Sequence, residues 1–364
     1  MEEVMKIVVY GICKNEEKFA RRWMQSMSEA DEVIVLDTGS DDQTVSFLRE
    51  AGAKVVTEEI SPWRFDTARN RSLDLVPEDA DICVCTDLDE VFQPGWRKLL
   101  EDAWEEGCSQ ASYRYTWNFT AQGQEGIVFW IEKIHARHGF RWVHPVHEVL
   151  QWVGEGMPGK TITVNGLQLN HHPDPHKSRG QYLPLLELSV KEAPHDDRNM
   201  HYLGREYLYK GRWDDCIRTL KHHLLMPEAT WKDERAASMR YIARACKQKK
   251  ERETAKNWYL QAIAEAPHLR EAYMELAWTV YEEEEWEGVL YFTGCALKIA
   301  QRPKTYISES FAWGSLIHDL RSIAFDRLGL YEKGLAEAKK ALELEPENER
   351  LQKNIEIMKK KKNP

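Results

Sequence analysis

The first hundred residues alternate between short apolar runs and longer segments in which apolar side chains have helical spacing. The short runs are of strand length, and many of their residues are β-branched; they lie at 6–10, 32–36, 54–57 and 81–85. The longer segments lie at 14–30, 44–51 and 67–75, and in the first of them Phe19, Trp23 and Met27 are four residues apart on one helical face. Strands and helices that alternate in this way predict a mostly parallel sheet with helices on both faces.

Residues 108–170 have a different pattern, in which β-type stretches carry many aromatic residues and histidines. These stretches lie at 111–115, 126–134 and 161–164. We interpret this segment as a mixed extension of the same domain that forms one side of its cleft.

From about residue 178 the pattern is helical to the end, and it repeats. Small residues at helix crossings, bulky residues between them and a closing proline recur about every 34 residues, which resembles the tetratricopeptide repeat. The copies contain Leu203-Gly204-x-x-Tyr207, Ile242-Ala243, Leu276-Ala277 and Leu328-Gly329-x-Tyr331. The sequence predicts about four repeats with an insertion near 302–310, and two domains: an α/β domain at 1–175 and an all-α solenoid at 176–364.

Composition limits the classes of partner. The chain has 364 residues, 30% of them charged, and a formal net charge of -10. Proteins that bind nucleic acid usually carry a basic footprint, so nucleic acid is a possible partner but not a favoured one. The seven cysteines are scattered without a CxxC pair, and no apolar run reaches the roughly 18 residues of a membrane span. We expect a cytoplasmic protein without a transmembrane segment, and the 14 tryptophans and helical repeats are compatible with a homodimer.

An acidic motif, Thr86-Asp87-Leu88-Asp89-Glu90, follows the fourth predicted strand. Ligands of parallel α/β sheets bind outside the carboxyl ends of the strands, and Asp37 follows the second strand at the same edge. If the motif is extended, Asp87 and Asp89 project to one side. Two carboxylates there suit a hard cation such as Mn²⁺ or Mg²⁺, which would neutralise a leaving diphosphate. A pair of solvated loop acids is the alternative interpretation.

Four segments resemble, in the same order, the motifs of family 2 glycosyltransferases with the GT-A fold. They read ICKNEE from residue 12, VLDTGSDDQT from residue 35, FDTARNR from residue 65 and TDLDE from residue 86. The resemblance implies a GT-A domain that binds a nucleotide-sugar donor. The combination with C-terminal helical repeats is similar to the peptide glycosyltransferases that modify bacteriocins and to phage-encoded relatives.

The resemblance also implies which residues bind the donor. Asp37 would hydrogen-bond the base or the ribose, Arg69 would face phosphate, and Asp87 would contact ribose or sugar. Asp66 and Asn70, which flank Arg69 in the third segment, are expected near the donor as well. A guanidinium suits phosphate because its planar fork matches two phosphate oxygens.

The metal ligands and the catalytic base are expected further along the chain. The resemblance implies that Asp89 binds Mn²⁺ or Mg²⁺ and that a late histidine completes the shell, for which His171 fits and His172 is the alternative. Inverting transfer needs a base for the acceptor proton, and Glu148 or His147, in a segment similar to the family's "pvHE", has the required chemistry. The alternative is that His147 and Glu148 only order a loop.

Together these features predict a metal-dependent, inverting glycosyltransferase that moves a sugar from a nucleotide-sugar, expected to be a UDP-sugar, to an acceptor. Helical solenoids commonly bind peptides on their concave surface, so a peptide or protein side chain is the favoured acceptor. Surface glycan and modified bases of phage DNA are alternatives. A catalytically inactive domain that serves as a scaffold for the repeats is an alternative from another functional class.

Overall fold

The computed structural model describes residues 5–120, 123–175 and 180–362, which form two compact units, Met1–Ser189 and Val190–Pro364. The described part of the first unit contains ten strands: β1 (Ile7–Cys13), β2 (Glu32–Asp37), β3 (Lys54–Thr57), β4 (Ile82–Cys85), β5 (Glu90–Phe92), β6 (Cys108–Thr116), β7 (Val128–Ala136), β8 (Phe140–Val143), β9 (Val149–Trp152) and β10 (Lys160–His171).

Eight of these strands form one sheet with the order β3-β2-β1-β4-β7-β6-β10-β5, and β8 and β9 form a separate hairpin. The first four strands in this order are parallel. In the other half, β7 is antiparallel to β4 and β6, while β10 is parallel to β6 and antiparallel to β5. The sheet is therefore mostly parallel, as predicted, with a mixed extension contributed by residues after 108.

Five helices accompany the strands: α1 (Glu17–Ser26), α2 (Thr44–Glu50), α3 (Phe65–Asp74), α4 (Trp96–Ala103) and α5 (Tyr182–Glu192). The two compact units separate within α5. The domain boundary that the sequence suggests, at 175/176, precedes this helix and remains a prediction.

Helix α1 is shorter than the predicted segment 14–30. Asn15 has a φ of 56°, in the left-handed region, so the helix cannot begin there. Its backbone N–H donates to Ser40 Oγ at 2.9 Å, and its side-chain oxygen accepts from the Asp41 N–H at 2.9 Å. These bonds hold residues 14 and 15 in a loop against the turn that follows β2.

Three of the four parallel strands, β1, β2 and β4, are buried on both faces, whereas β3 at the edge of the sheet is largely exposed. In β1, Ile7 and Val9 pack in a core with Trp23 of α1. Val8, between them, packs on the opposite face with Leu73 of α3. Because successive side chains of a strand point to opposite faces, two helical layers are needed to cover this sheet. The predicted fold class of the first unit is confirmed.

The described part of the second unit contains nine complete helices: α6 (Asp197–Tyr209), α7 (Trp213–Leu225), α8 (Lys232–Gln248), α9 (Arg252–Glu265), α10 (Arg270–Glu282), α11 (Trp286–Leu297), α12 (Leu316–Arg327), α13 (Tyr331–Leu344) and α14 (Glu349–Lys362). The first eight are four successive pairs that coincide with the predicted repeats. None of the described helices is both long and apolar enough to cross a lipid bilayer.

Small residues mark the helix crossings in this unit. A Cβ atom added to Gly204 of α6 would lie only 2.3 Å from Leu220 Cδ2 of α7, so only glycine allows this close approach. Ala243 and Ala277 are fully buried at the corresponding positions of α8 and α10. The predicted insertion lies between α11 and α12, where a short 3₁₀ helix occupies Ser310–Ala312.

Candidate functional site

The parallel strands bring the ends of β1, β2 and β4 to one edge of the sheet. Asp37, the last residue of β2, is fully buried there. Its carboxylate accepts hydrogen bonds from the backbone N–H groups of Ser40 at 3.1 Å and Gly39 at 3.4 Å. Asp37 therefore organises the loop at the edge where a nucleotide is expected. Its contact with a base or ribose remains a prediction.

The acidic motif forms a turn and does not extend β4. The Glu90 N–H donates to the Asp87 carbonyl oxygen at 3.0 Å, and the Asp87 N–H donates to the Glu90 carboxylate at 2.9 Å. The expectation of an extended segment is wrong, because the chain turns at once into β5. As a result, the side chains of Asp87 and Asp89 have different partners.

The start of this turn is held from two sides. Trp23 Nε1 donates to Thr86 Oγ1 at 3.1 Å. On the other side, Gly11 of β1 approaches so closely that an added Cβ would lie 2.6 Å from the Thr86 carbonyl oxygen. A larger residue at position 11 would therefore displace the motif.

Strand pairing brings Asp89 and His171 together although they are distant in sequence. β5 and β10 are antiparallel, with Glu90 opposite His171. Asp89 Oδ2 lies 3.3 Å from His171 Nε2, and both side chains are largely buried. His172 stacks on Phe119 with a ring separation of 5.5 Å. Of the two histidines considered as metal ligands, His171 is the one paired with Asp89.

The other ring nitrogen of His171 determines which atom faces the carboxylate. Nδ1 lies 2.8 Å from the carbonyl oxygen of Trp117, which can only accept, so Nδ1 carries a proton. In the neutral ring the Nε2 lone pair would face Asp89, and these two acceptors need a proton or a metal cation between them. Burial lowers the pKa of His171, but the hydrogen bond and charge of Asp89 outweigh burial and raise it. The pair fits a divalent cation, because ligating histidines commonly donate their other N–H to a carbonyl.

Arg69 is buried beneath the motif, with only 4% of its surface exposed. Its Nη2 donates to both carboxylate oxygens of Asp87, at 2.9 and 3.1 Å, and its Nε donates to Glu148. Burial lowers the pKa of Arg69, but Asp87 and Glu148 outweigh it and raise the pKa, so the side chain is charged. The resemblance implied a phosphate contact; here the guanidinium holds two carboxylates in place.

Two more of the residues expected at the donor make contacts within the protein. Asn70 exchanges two hydrogen bonds with the backbone of Trp142, at 2.8 and 2.9 Å, which join α3 to β8. Asp66 accepts two bonds from the guanidinium of Arg64, at 3.0 and 2.8 Å. These contacts give Asn70 and Asp66 a structural role, and their roles in donor binding remain predictions.

The loop between β8 and β9 carries the two residues considered as the base. Glu148 reaches the acidic motif through Arg69, which also binds Asp87. His147 has a φ of 52°, a conformation uncommon for residues other than glycine, and its ring packs edge to face on Tyr182 at 5.8 Å. The structure therefore joins Glu148 to the same ion-pair network as Asp87.

Sequence reasoning missed Lys133 of β7. Its Nζ lies 2.9 Å from Glu90 Oε1 and 3.4 Å from Asp87 Oδ2. Burial lowers the pKa of Lys133, but Glu90 and Asp87 outweigh burial and raise it. Glu90 is only 1% exposed and also accepts a hydrogen bond from the Tyr115 hydroxyl at 2.8 Å. The one available signal was a charged pair, Glu132-Lys133, within an otherwise apolar and aromatic strand.

These side chains form a network of alternating charge at the sheet edge. When His171 is neutral, the network contains two cations and four carboxylates. They are Arg69, Lys133, Asp87, Asp89, Glu90 and Glu148. The excess of negative charge favours binding of a cation. A divalent ion would balance it.

Comparisons with known proteins find a matching family model, a relative in sequence and similar solved structures. Residues 9–147 match the family model described as Glycosyl transferase family 2. A TPR repeat-containing protein of Synechococcus elongatus is 31% identical over 115 residues, which are 31% of this chain, and the chain spans 26% of that relative's length. The crystal structure of MamA is similar over 46% of this chain and 89% of that one, with 18% identity and a TM-score of 0.37. A thermophilic TPR protein of Thermus thermophilus is similar over 48% and 88%, with 17% identity and a TM-score of 0.35.

The segment matched by the family model contains all four sequence motifs, strands β2 to β4 and all of β1 except Ile7 and Val8. It also contains Asp37, Arg69, Asp87 and Asp89. The paired helices α6 to α13 follow it. The chain thus combines a glycosyl transferase family 2 domain at residues 9–147 with a C-terminal run of tetratricopeptide-like helical repeats.

Proposed function

We propose that this chain is a metal-dependent, inverting glycosyltransferase that moves a sugar from a UDP-sugar to a peptide or protein side chain. The observation that carries the proposal is the pairing of Asp89 with His171, beside Asp87, at the carboxyl edge of the sheet in a family 2 domain. A buried carboxylate and an imidazole whose other nitrogen is already fixed are a suitable pair of ligands for Mn²⁺ or Mg²⁺.

Asp89 and His171 would hold the ion, and the Trp117 carbonyl would keep the imidazole in the ligating tautomer. A divalent ion at this position supplies charge neutralisation for the departing nucleoside diphosphate. Asp87 is the more accessible acid, with a third of its side chain exposed (33%), and is suited to accept a hydrogen bond from ribose or sugar. Arg69 and Lys133 hold it in position from opposite sides.

Glu148 is the favoured base, with His147 as the alternative. Arg69 Nε binds Glu148 Oε1, which leaves Oε2 outside that ion pair. Arg69 binds both Glu148 and Asp87, so the same side chain positions the proposed base and the proposed donor-binding carboxylate. A fixed carboxylate can accept the acceptor's proton as the new glycosidic bond forms.

The second unit supports the choice of a peptide acceptor. A groove of about 620 Å³ is lined by aromatic side chains that include Tyr209, Trp213, Trp278 and Phe311. Tyr209 and Trp278 are 63% and 39% exposed. Exposed aromatic rings on a helical solenoid provide a large contact area for a peptide segment. The net charge of -10 disfavours DNA as the acceptor.

The test uses the purified full chain with a panel of UDP- and GDP-sugars, in EDTA, Mg²⁺ or Mn²⁺, and measures release of nucleoside diphosphate. We expect release from a UDP-sugar that requires the divalent ion. Asp89→Asn should abolish it, whereas the control Asp102→Asn, on the exposed face of α4, should not. No release from any donor with either ion would refute the enzymatic function.

The acceptor is tested separately, by intact mass of candidate peptides after incubation with the active donor. A mass increase of one hexose or N-acetylhexosamine on a peptide, lost in Glu148→Gln, is the expected result. Transfer only to glycan or DNA would refute the peptide acceptor. Donor binding in calorimetry without any turnover would favour the inactive scaffold.

A further inference from the structure

Three buried side chains from consecutive helices of the second unit come together in one cluster. His201 of α6 and His223 of α7 are fully buried, and Glu234 of α8 is 4% exposed. One potential ligand atom of each lies within 4.8 Å of the others. His223 Nε2 is 3.4 Å from Glu234 Oε1.

The remaining polar atoms of these side chains are held by neighbouring groups. Ser238 Oγ lies 2.8 Å from His201 Nδ1 and 3.0 Å from His223 Nδ1. The Tyr306 hydroxyl donates to Glu234 Oε2, which leaves Oε1 toward His223. Within the described part of the chain, His201 Nε2 is buried without a hydrogen-bond partner, and buried His223 Nε2 has the 3.4 Å contact with Glu234 Oε1 but no hydrogen bond of good geometry. Buried polar atoms without a partner are rare in folded proteins, and a bound ion would satisfy both nitrogens.

The three side chains also offer ligand atoms of a suitable kind. Two histidine nitrogens and one carboxylate oxygen form a ligand set that Zn²⁺ accepts.

We propose that His201, His223 and Glu234 bind one Zn²⁺ ion, with a water molecule as the fourth ligand, in a site that joins α6, α7 and α8. Ligand atoms about 2.1 Å from a tetrahedral ion are about 3.4 Å apart, which matches the separation of His223 Nε2 and Glu234 Oε1, 3.4 Å. Ser238 and Tyr306 orient the ligands, as groups around a metal site commonly do.

The ion would link the first helix pair of the solenoid to the second. Isolated repeats cannot bury their apolar faces alone and depend on their neighbours, so a link across three helices stabilises the start of the array. Because the ligands are buried, the ion would be acquired as the unit folds. The competing interpretation is a metal-free relay of hydrogen bonds through Ser238, which the experiment separates from the metal site.

The experiment uses the full chain with Asp89→Asn, so that ions at the proposed catalytic site do not contribute. The protein is stripped with EDTA, and one sample is refolded with Zn²⁺ so that access to the buried ligands does not limit uptake. We expect one Zn²⁺ per chain by elemental analysis after gel filtration, and a higher Tm than in EDTA. Refolding with Co²⁺ should give the intense visible absorption of a tetrahedral site.

His223→Gln removes a ligand and should reduce Zn²⁺ affinity by about 100-fold or more. Ser238→Ala removes a group that only orients the ligands and should reduce the affinity by about 10–100-fold, as is typical of such groups. His222→Gln, at the exposed neighbouring position, is the matched control and should bind as the parent does. Far-UV circular dichroism would check that each variant retains its helices. If His223→Gln does not, Glu234→Gln is tested in its place. Absence of bound Zn²⁺ after refolding, or equal binding by His223→Gln and His222→Gln, would overturn the proposal.

Discussion

Asp89→Asn preserves the shape of the side chain and removes the charge that faces His171. Below the pKa of His171 and without a bound metal, the protonated Nε2 would donate to Asp89 Oδ2, which lies 3.3 Å away in a largely buried setting. A hydrogen bond between charged groups contributes about 1.5–3 kcal/mol to stability. Since a domain of this size changes its Tm by roughly 2–4 °C per kcal/mol, the variant should melt about 3–12 °C lower at acidic pH.

The difference should depend on pH in a defined direction. Burial lowers the pKa of His171, but Asp89 outweighs it and raises the pKa above 6.5. A group whose pKa is raised on folding contributes stability that is present below its unfolded pKa and is lost as pH rises through its folded pKa. In EDTA, the Tm difference between wild type and Asp89→Asn should therefore be largest near pH 5.5 and smallest near pH 8.5, about one unit or more either side of the ordinary histidine pKa.

Mn²⁺ should reverse this dependence, because a metal needs the unprotonated Nε2 and competes with the proton. The assay is thermal unfolding of wild type, Asp89→Asn and the control Asp102→Asn across this pH range, with EDTA or Mn²⁺. Stabilisation by Mn²⁺ should increase with pH in the wild type and in the control, and be lost in Asp89→Asn. A Tm difference that does not change with pH, or equal stabilisation of all three proteins by Mn²⁺, would refute the reasoning.

Three further substitutions test the supports of the site. Gly11→Ala places a Cβ 2.6 Å from a backbone carbonyl of the acidic motif and should cost about 1–3 kcal/mol in urea unfolding; unchanged stability would contradict the close approach. Arg69→Lys cannot hold both of its carboxylates in the same geometry and should lower kcat/KM about 100-fold in initial-rate assays, where a wild-type rate would count against its positioning role. Lys133→Met leaves buried Glu90 without its cation and should destabilise the protein by about 3–5 kcal/mol, against about 0.5 kcal/mol or less for the exposed control Lys98→Met; equal losses would exclude the buried ion pair.

Local signals in the sequence determined the parallel half of the sheet and the helical repeats. Strands β1, β2 and β4 were identified by apolar runs, because a strand buried on both faces is apolar almost throughout. The repeats were identified by small residues such as Gly204, which only a close helix crossing requires. The four motifs occur in the same order as in the family and place Asp37, Asp87 and Asp89 after strands. Because the carboxyl ends of parallel strands lie at one edge of the sheet, the sequence also predicted that these residues share that edge.

Only the tertiary structure decided which side chains contact the residues of the acidic motif. The antiparallel pairing of β5 with β10 places His171 against Asp89, and the position of β7 beside β4 brings Lys133 to Glu90. Neither contact has a local signal, because the periodicity of a strand does not encode its partner or its register. Burial likewise pairs Arg69 with two carboxylates, since a charged group removed from water must be paired within the protein, and its contact with phosphate remains a prediction.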